Sequence, residues 1–211
     1  MAFNKKKSDP PSVARQVSRE ECSMPRGPSS RNTLPELLVL RQLFLYNPET
    51  GELKNRDRPN EMFSSERAAK SWRTQFLGKI AGSLVKKDSN SYWQIEIFNN
   101  KYQSHRIIWK LYYGEDPPEI IDHIDGDGSN NKINNLRAAT VFQNGWNAKK
   151  GSRNKSGYKG VSFNTERNKW RAAICINKKT ILIGYYSTPE EASHAYQKAS
   201  AQYHGEFYNP T

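Results

Sequence analysis

The sequence predicts an α+β protein made of two ordered units, and three observations carry that prediction. Between Ile120 and Asn147 a short apolar strand, a polar Gly/Asn-rich loop, a return strand and a helix follow one another. From Tyr158 onward, three short strand-like runs precede one Ala-rich helix, the pattern of a small three-stranded antiparallel sheet packed on a helix. Between the two units lies a polar, basic stretch, 149–157, with the composition of a linker.

The balance of charge narrows the function. Thirty-three Lys and Arg against 21 Asp and Glu give a formal charge of +12 and a pI near 9.7. A surplus of that size suits a polyanionic partner, because each cation set on a phosphate releases a condensed counterion. The two cysteines, Cys22 and Cys175, form no CxxC pair, so neither a zinc knuckle nor a disulfide framework is expected. No apolar run approaches the ~20 residues that span a bilayer, and no apolar stretch follows the basic N-terminus. The expectation is a soluble cytoplasmic protein with no membrane contact.

Along the chain, residues 1–32 are rich in Ser, Pro, Arg and Lys and read as a disordered basic tail. Thr33-Leu34-Pro35-Glu36 reads as a capping box with Pro in the first turn, opening an apolar helix from Leu37 through Leu45. Asn47-Pro48-Glu49-Thr50-Gly51 is a turn that ends it. Residues 52–90 show short strands and a loop. Tyr92 to Phe98 mixes β-branched and aromatic residues, Asn99-Asn100 turns the chain, and Lys101 to His105 returns as a second strand. A helix from Arg106 to Tyr113 stops at Gly114 and Pro117-Pro118. Ile120-Ile121 leads a strand into Asp122 and His123, Ile133 to Ala139 returns, and Thr140 is an N-cap for a helix to Asn147. Beyond the linker the strands are expected at 158–163, 170–176 and 181–186, with the helix over 189–204.

The polar loop after Ile121 holds the residues that point to chemistry. Hydrolysis of a phosphodiester needs a base for water, a cation to offset charge at phosphorus, and stabilisation of the departing 3′ oxygen. His123 has the right side chain for the base, since an unperturbed imidazole titrates near ~6.5. Asp122 and an Asn carbonyl are hard oxygen ligands of the kind Mg²⁺ takes while keeping most of its waters. A calcium loop fails on register: Gly128 in its sixth place puts His123 first and Asn134 twelfth.

The run Asp122-His123-Ile124-Asp125-Gly126, then Asn130-Asn131 and Asn134-Asn135-Leu136-Arg137, with Gln143-Asn144 and Asn147 downstream, resembles the HNH endonucleases of phages and group I introns. His105-Arg106-Ile107-Ile108-Trp109 and the 47–53 turn extend the resemblance over about 35–150. It implies a ββα-metal (His-Me finger) module at about 119–148 within a domain spanning 33–148. It also implies His123 as general base, Asn135 as the catalytic-loop residue that orients the loop and the histidine without touching metal, and Asp122 with Asn144 as ligands of one divalent cation, Mg²⁺ with Mn²⁺ as the alternative. His105, Arg106 and Asn147 would take supporting or phosphate-contacting roles.

Residues 158–210 resemble, in order and spacing, the APETALA2/ethylene-response-factor DNA-binding domain. The motifs are Tyr158-Lys159-Gly160-Val161, Lys169-Trp170-Arg171, Ile183-Gly184-Tyr185-Tyr186, Thr188-Pro189-Glu190-Glu191, and the 205–210 ending. Strand alternation independently turns Trp170, Ala172, Ile174 and Ile176 toward the helix and Arg171, Ala173, Cys175 and Asn177 away from it. Lys159, Arg167, Lys169, Arg171, Lys178 and Lys179 are the expected contacts to DNA.

The resulting expectation is a metal-dependent endonuclease for double-stranded DNA, a phage-encoded homing enzyme acting in the bacterial host cytoplasm. It would act as a monomer or a dimer, nick or cut both strands, and need no obligate protein partner. With an unperturbed His123 as base, cleavage should decline below about pH 6.5. The reading from another class is a non-catalytic DNA-binding regulator built on the same scaffold, separated from the first by a metal requirement for strand scission.

Overall fold

The computed structural model describes residues 33–87, 90–151, 154–176 and 179–209; the expected tail 1–32, Asn177 and Lys178 lie outside them. Within this range small antiparallel sheets and helices alternate, an α+β architecture with two hydrophobic cores.

The first core forms around helix α1 (Leu37–Leu43) and helix α3 (Ser104–Tyr113), whose Leu40, Leu43, Ile107 and Ile108 are fully buried. The helix expected through Leu45 ends at Leu43, and Glu36 occupies the N-cap position without a side-chain capping bond. The reason lies in the next residues: strand β1 (Phe44–Tyr46) pairs with β2 (Leu53–Asn55), closed by the 47–51 turn in which Asn47 Oδ1 accepts from the Glu49 amide. Sheet pairing and burial of Phe44 and Leu53 override local helix propensity.

Helix α2 (Glu66–Phe76) was not foreseen in the stretch read as strands and loop. Ser65 caps it by accepting from the Ala68 amide; only Ala69 is buried, while Trp72 packs between Phe63 and Phe76 on its apolar side. Strands β3 (Ser83–Lys87), β4 (Asn90–Ile97) and β5 (Asn100–Gln103) form a meander. Phe98 and Asn99, both at positive φ, make the two-residue turn between β4 and β5. Helix α3 begins at Ser104, earlier than expected, so His105 lies in its first turn rather than on a strand.

Strand β6 (Ile120–His123) pairs antiparallel with β7 (Leu136–Ala139), setting Asp122 opposite Arg137 and His123 opposite Leu136. The return strand is shorter than expected because 133–135 form a 3₁₀ turn. Thr140 caps helix α4 (Val141–Asn147) through a complete capping box with Gln143.

The second core joins β8 (Val161–Asn164), β9 (Lys169–Ile176) and β10 (Lys179–Tyr186) to helix α5 (Pro189–His204). Ala172 and Ile174 are buried beside Val161, Ala192 and Tyr196, with Trp170 and Ile176 partly covered on the same face. The alternation read in the sequence therefore holds along β9.

Candidate active site

Strand β6 delivers Asp122 and His123 to a buried position, 4% and 6% exposed. A carboxylate so removed from water needs compensating donors. Arg137 supplies two from the neighbouring strand: Nε donates to Asp122 Oδ2 at 2.9 Å, and Nη2 lies 2.8 Å from the same oxygen. Asn147, at the end of α4, brings its amide from the other side. Its Nδ2 reaches Asp122 Oδ1 at 2.9 Å, Oδ2 at 3.1 Å and the His123 carbonyl at 2.7 Å.

The His123 ring is oriented by Asn131, whose Oδ1 lies 3.1 Å from Nε2. An amide oxygen accepts, so Nε2 carries the proton and Nδ1 keeps a lone pair free to take one. His105 lies edge-on to His123 with ring centroids 5.1 Å apart, and the Tyr92 ring flanks both at 6.0–6.2 Å. Burial lowers the His123 pKa against the opposing pull of Asn131, Asp125, Asp122 and Asp127. Burial, then the charges of His123 and Arg106, pushes His105 down to about 3. His204 is also lowered, first by burial.

These neutral histidines set an acid limit. Their folded pKa values lie below the unfolded value of ~6.5, so the unfolded chain binds more protons between the two. Their stabilisation is complete above that value and is lost as pH falls below it, for His105 down toward about 3. Acidification from pH 7.5 to 5 should cost about 1–2 kcal/mol from His105 alone, seen as a fall in the urea midpoint. An unchanged midpoint would contradict neutral, buried rings.

The loop between β6 and β7 is held by Asn135. Its Nδ2 donates to Asp125 Oδ1 and the Asn130 carbonyl, and its Oδ1 accepts from the Asp125 amide. Asn135 thus fastens the loop and touches neither His123 nor Asp122 in these bonds. The 47–51 turn buttresses the far side: Tyr46 Oη donates to the Asn131 carbonyl, and the Gly51 Cα faces the Asn131–Lys132 peptide. A Cβ on Gly51 would stand 2.6–2.7 Å from that backbone, at a φ of +76°. Gly51→Ala should therefore displace Asn131 and its grip on His123, costing about 1–3 kcal/mol in urea unfolding. Wild-type stability and an unshifted His123 ring resonance in that variant would refute the buttress.

The other expected residues fall as follows. Asn144 is exposed on α4, one turn before Asn147 and on the same helical face. Arg106 Nη1 donates to the Pro118 and Glu119 carbonyls, pinning the approach to β6. Lys159 directs its ammonium inward, to the Trp146 and Ala148 carbonyls at 2.6 Å, where it complements the C-terminus of α4. Arg167, Lys169 and Lys179 are exposed, Arg171 is half-buried, and the Arg167 guanidinium lies over Tyr185. Arg137, Asn131, Tyr92 and Asn209 were not assigned to the site from the sequence. Arg137 and Asn131 lay inside the quoted motif, whereas Tyr92 and Asn209 are distant in the chain, Asn209 lying in the 205–210 ending of the other unit.

Among the described residues no group of three or more His, Cys, Asp and Glu side chains gathers as a metal site. The donors present do fit a hard cation held with most of its waters. Asp122 Oδ2 takes both Arg137 contacts and the weaker one from Asn147, so among the described residues Oδ1 has a lone pair to offer. The Asn144 amide stands on the adjacent helix face.

This geometry coincides with a family signature. Residues 102–145 match the HNH endonuclease family model. The HNH segment runs from β5 to α4 and contains His105, Asp122, His123, Asn135 and Asn144. Protein 3.8 of Escherichia phage T7 is 40% identical over 76 residues, 36% of this chain and 63% of that protein. An uncharacterized HNH endonuclease of Acanthamoeba polyphaga mimivirus is 38% identical over 112 residues, 52% of this chain and 57% of that protein. The chain thus spans about three fifths of the length of these relatives. No solved structure matches it significantly. Residues 102–145 are thus similar to the HNH endonuclease family and the chain has viral relatives, and no helix among its described residues is long and apolar enough to cross a membrane.

Proposed function

We propose that the protein is a divalent-metal-dependent endonuclease for double-stranded DNA, with Mg²⁺ as its cation and Mn²⁺ able to replace it. The observation that carries this reading is the pairing, inside the HNH segment, of a neutral His123 having a free Nδ1 with a buried carboxylate on the preceding residue. His123 Nδ1 accepts a proton from water as the oxygen attacks phosphorus. The P–O3′ bond breaks, and the departing 3′ oxygen takes a proton from solvent, leaving 5′-phosphate and 3′-hydroxyl ends. Asp122 and Asn144 would hold the cation, which supplies charge stabilisation at the departing oxygen. Because burial lowers the His123 pKa, the acid limb of the rate profile belongs below the pH 6.5 expected from an unperturbed imidazole.

The unit of β8–β10 and α5 serves in this reading as an APETALA2-like DNA-docking domain, its helix-averted sheet face laid in the major groove. Ser162, Arg171 and Tyr185 share one cross-strand row on that face, and Arg167, Lys169 and Lys179 lie around it. Arg171→Ala and Lys169→Ala should each reduce the slope of log affinity against log salt by about 1, if each residue neutralises one phosphate. Slopes equal to wild type would place the docking surface elsewhere. The biological role most consistent with the viral relatives is a phage-encoded homing endonuclease working in the host cytoplasm.

The test is incubation of supercoiled DNA, including sequence from around the protein's own gene, with Mg²⁺ or EDTA. Open-circular product with Mg²⁺ alone supports a nickase, and linear product a double-strand cutter. Tight binding without scission in either condition would replace the reading by that of a non-catalytic DNA-binding regulator.

A further inference from the structure

The donors that hold Asp122 are themselves held from the far end of the described chain. Asn209, only 7% exposed, lies just beyond α5 and a 3₁₀ turn at Gly205–Phe207. Its Nδ2 donates to the main-chain carbonyl of Asn147 at 2.9 Å and to Asn147 Oδ1 at 3.2 Å. An Asn side chain offers an oxygen on one side and an NH₂ on the other, and the two faces have opposite effects on a nearby carboxylate. A donor placed on the Asn147 oxygen obliges its NH₂ to face Asp122 and the His123 carbonyl. The reversed amide would set oxygen against carboxylate.

A second thread runs in parallel. Arg137 Nη1 donates to the Glu206 carbonyl at 2.6 Å, and the Arg137 guanidinium lies 3.8 Å over the Phe207 ring. Hydrogen bond and stacking together fix the plane of the fork whose other edge grips Asp122 Oδ2. Trp146 stacking on His204 at 4.4 Å, with Lys159 capping α4, closes the remainder of the contact. Lys150 Nζ donates to the Gly157 carbonyl.

We propose that Asn209, together with the Glu206-Phe207 backbone and ring, is a positioning element of the nuclease site, fixing the Asn147 amide and the Arg137 fork so that both present donors to Asp122. Asn209 touches no reacting group. It acts through Asn147 on the carboxylate assigned to the cation, so its catalytic consequence rests on the nuclease reading above. Loss of partners that orient a ligand's environment commonly lowers metal affinity or activity about 10–100-fold.

The experiment compares the full chain with Asn209→Ala and Asn209→Asp, after thermal unfolding shows that each variant folds. Three quantities are read: the Mn²⁺ dissociation constant of the protein alone, the scission rate at saturating Mn²⁺, and the NMR shift and proton exchange of the Asn147 side-chain amide without metal. The expected result is a dissociation constant raised about 10-fold or more in Asn209→Ala, with a displaced and faster-exchanging Asn147 amide. Asn209→Asp, of equal size but with an acceptor facing the Asn147 oxygen, should be the worse of the two, an order that loss of packing would not produce. DNA affinity in EDTA should be unchanged in both. A wild type that cuts no DNA defeats the nuclease reading, while Mn²⁺ affinity and the amide resonance still judge this inference. Both variants matching wild type in the amide resonance and in every measurable Mn²⁺ property would overturn it.

Discussion

On the nuclease reading, replacing His123 by alanine is expected to lower the rate of metal-dependent strand scission by about 10²–10⁴-fold, the contribution of a positioned general base. Asn131 on Nε2 fixes the tautomer, and burial keeps the ring neutral near physiological pH, so Nδ1 is held ready to accept a proton. His105 is the neighbour best placed to substitute, and its ring is edge-on at 5.1 Å in the first turn of α3. His105→Ala should therefore cost less in rate than His123→Ala. Circular dichroism must show both variants folded. Equal cleavage by wild type and His123→Ala would mean that the base lies elsewhere.

Arg137→Ala is expected to be the most destabilising single substitution around the site. It leaves Asp122 buried with its ionic partner gone, a loss of about 3–5 kcal/mol for a pair of this kind. The pair is well removed from solvent, with side chains 13% and 4% exposed. Arg137→Lys should not restore stability. A point ammonium cannot grip Asp122, reach the Glu206 carbonyl and stack on Phe207 at once. Urea denaturation decides the matter, and a loss below about 1 kcal/mol for Arg137→Ala would show that water or another donor takes over.

The strand–loop–strand–helix order around His123 could be read from the sequence because each element announces itself locally. Ile120-Ile121 marks a strand, the Asn/Gly loop a reversal, and Thr140 with Gln143 a capping box that the structure forms in full. The sheet face of β9 was legible for the same reason, since Ala172 and Ile174 alternate with Arg171 and Ala173. Helix α2 was not, because its apolar period is short, Ala68-Ala69, Trp72 and Phe76, and is set among charged and polar residues. Leu45 was misplaced because pairing with Lys54 depends on a segment across a turn. Lys159 was read as a DNA contact on charge alone, yet its ammonium serves two carbonyls of α4. The partners of Asp122 were the least accessible. A buried carboxylate takes donors from wherever the fold brings them, and Asn147 and Asn209 meet across a separation of 62 residues.

That separation also has a consequence in time. During synthesis the strand carrying Asp122 and His123 emerges well before residues 206–209. At about 5–20 residues per second, the 62 residues from Asn147 to Asn209 correspond to about 3–12 s of translation. Throughout that interval a nascent chain already holding Asp122 and His123 lacks the contacts that residues 206–209 make to Asn147 and Arg137, so these bonds close last.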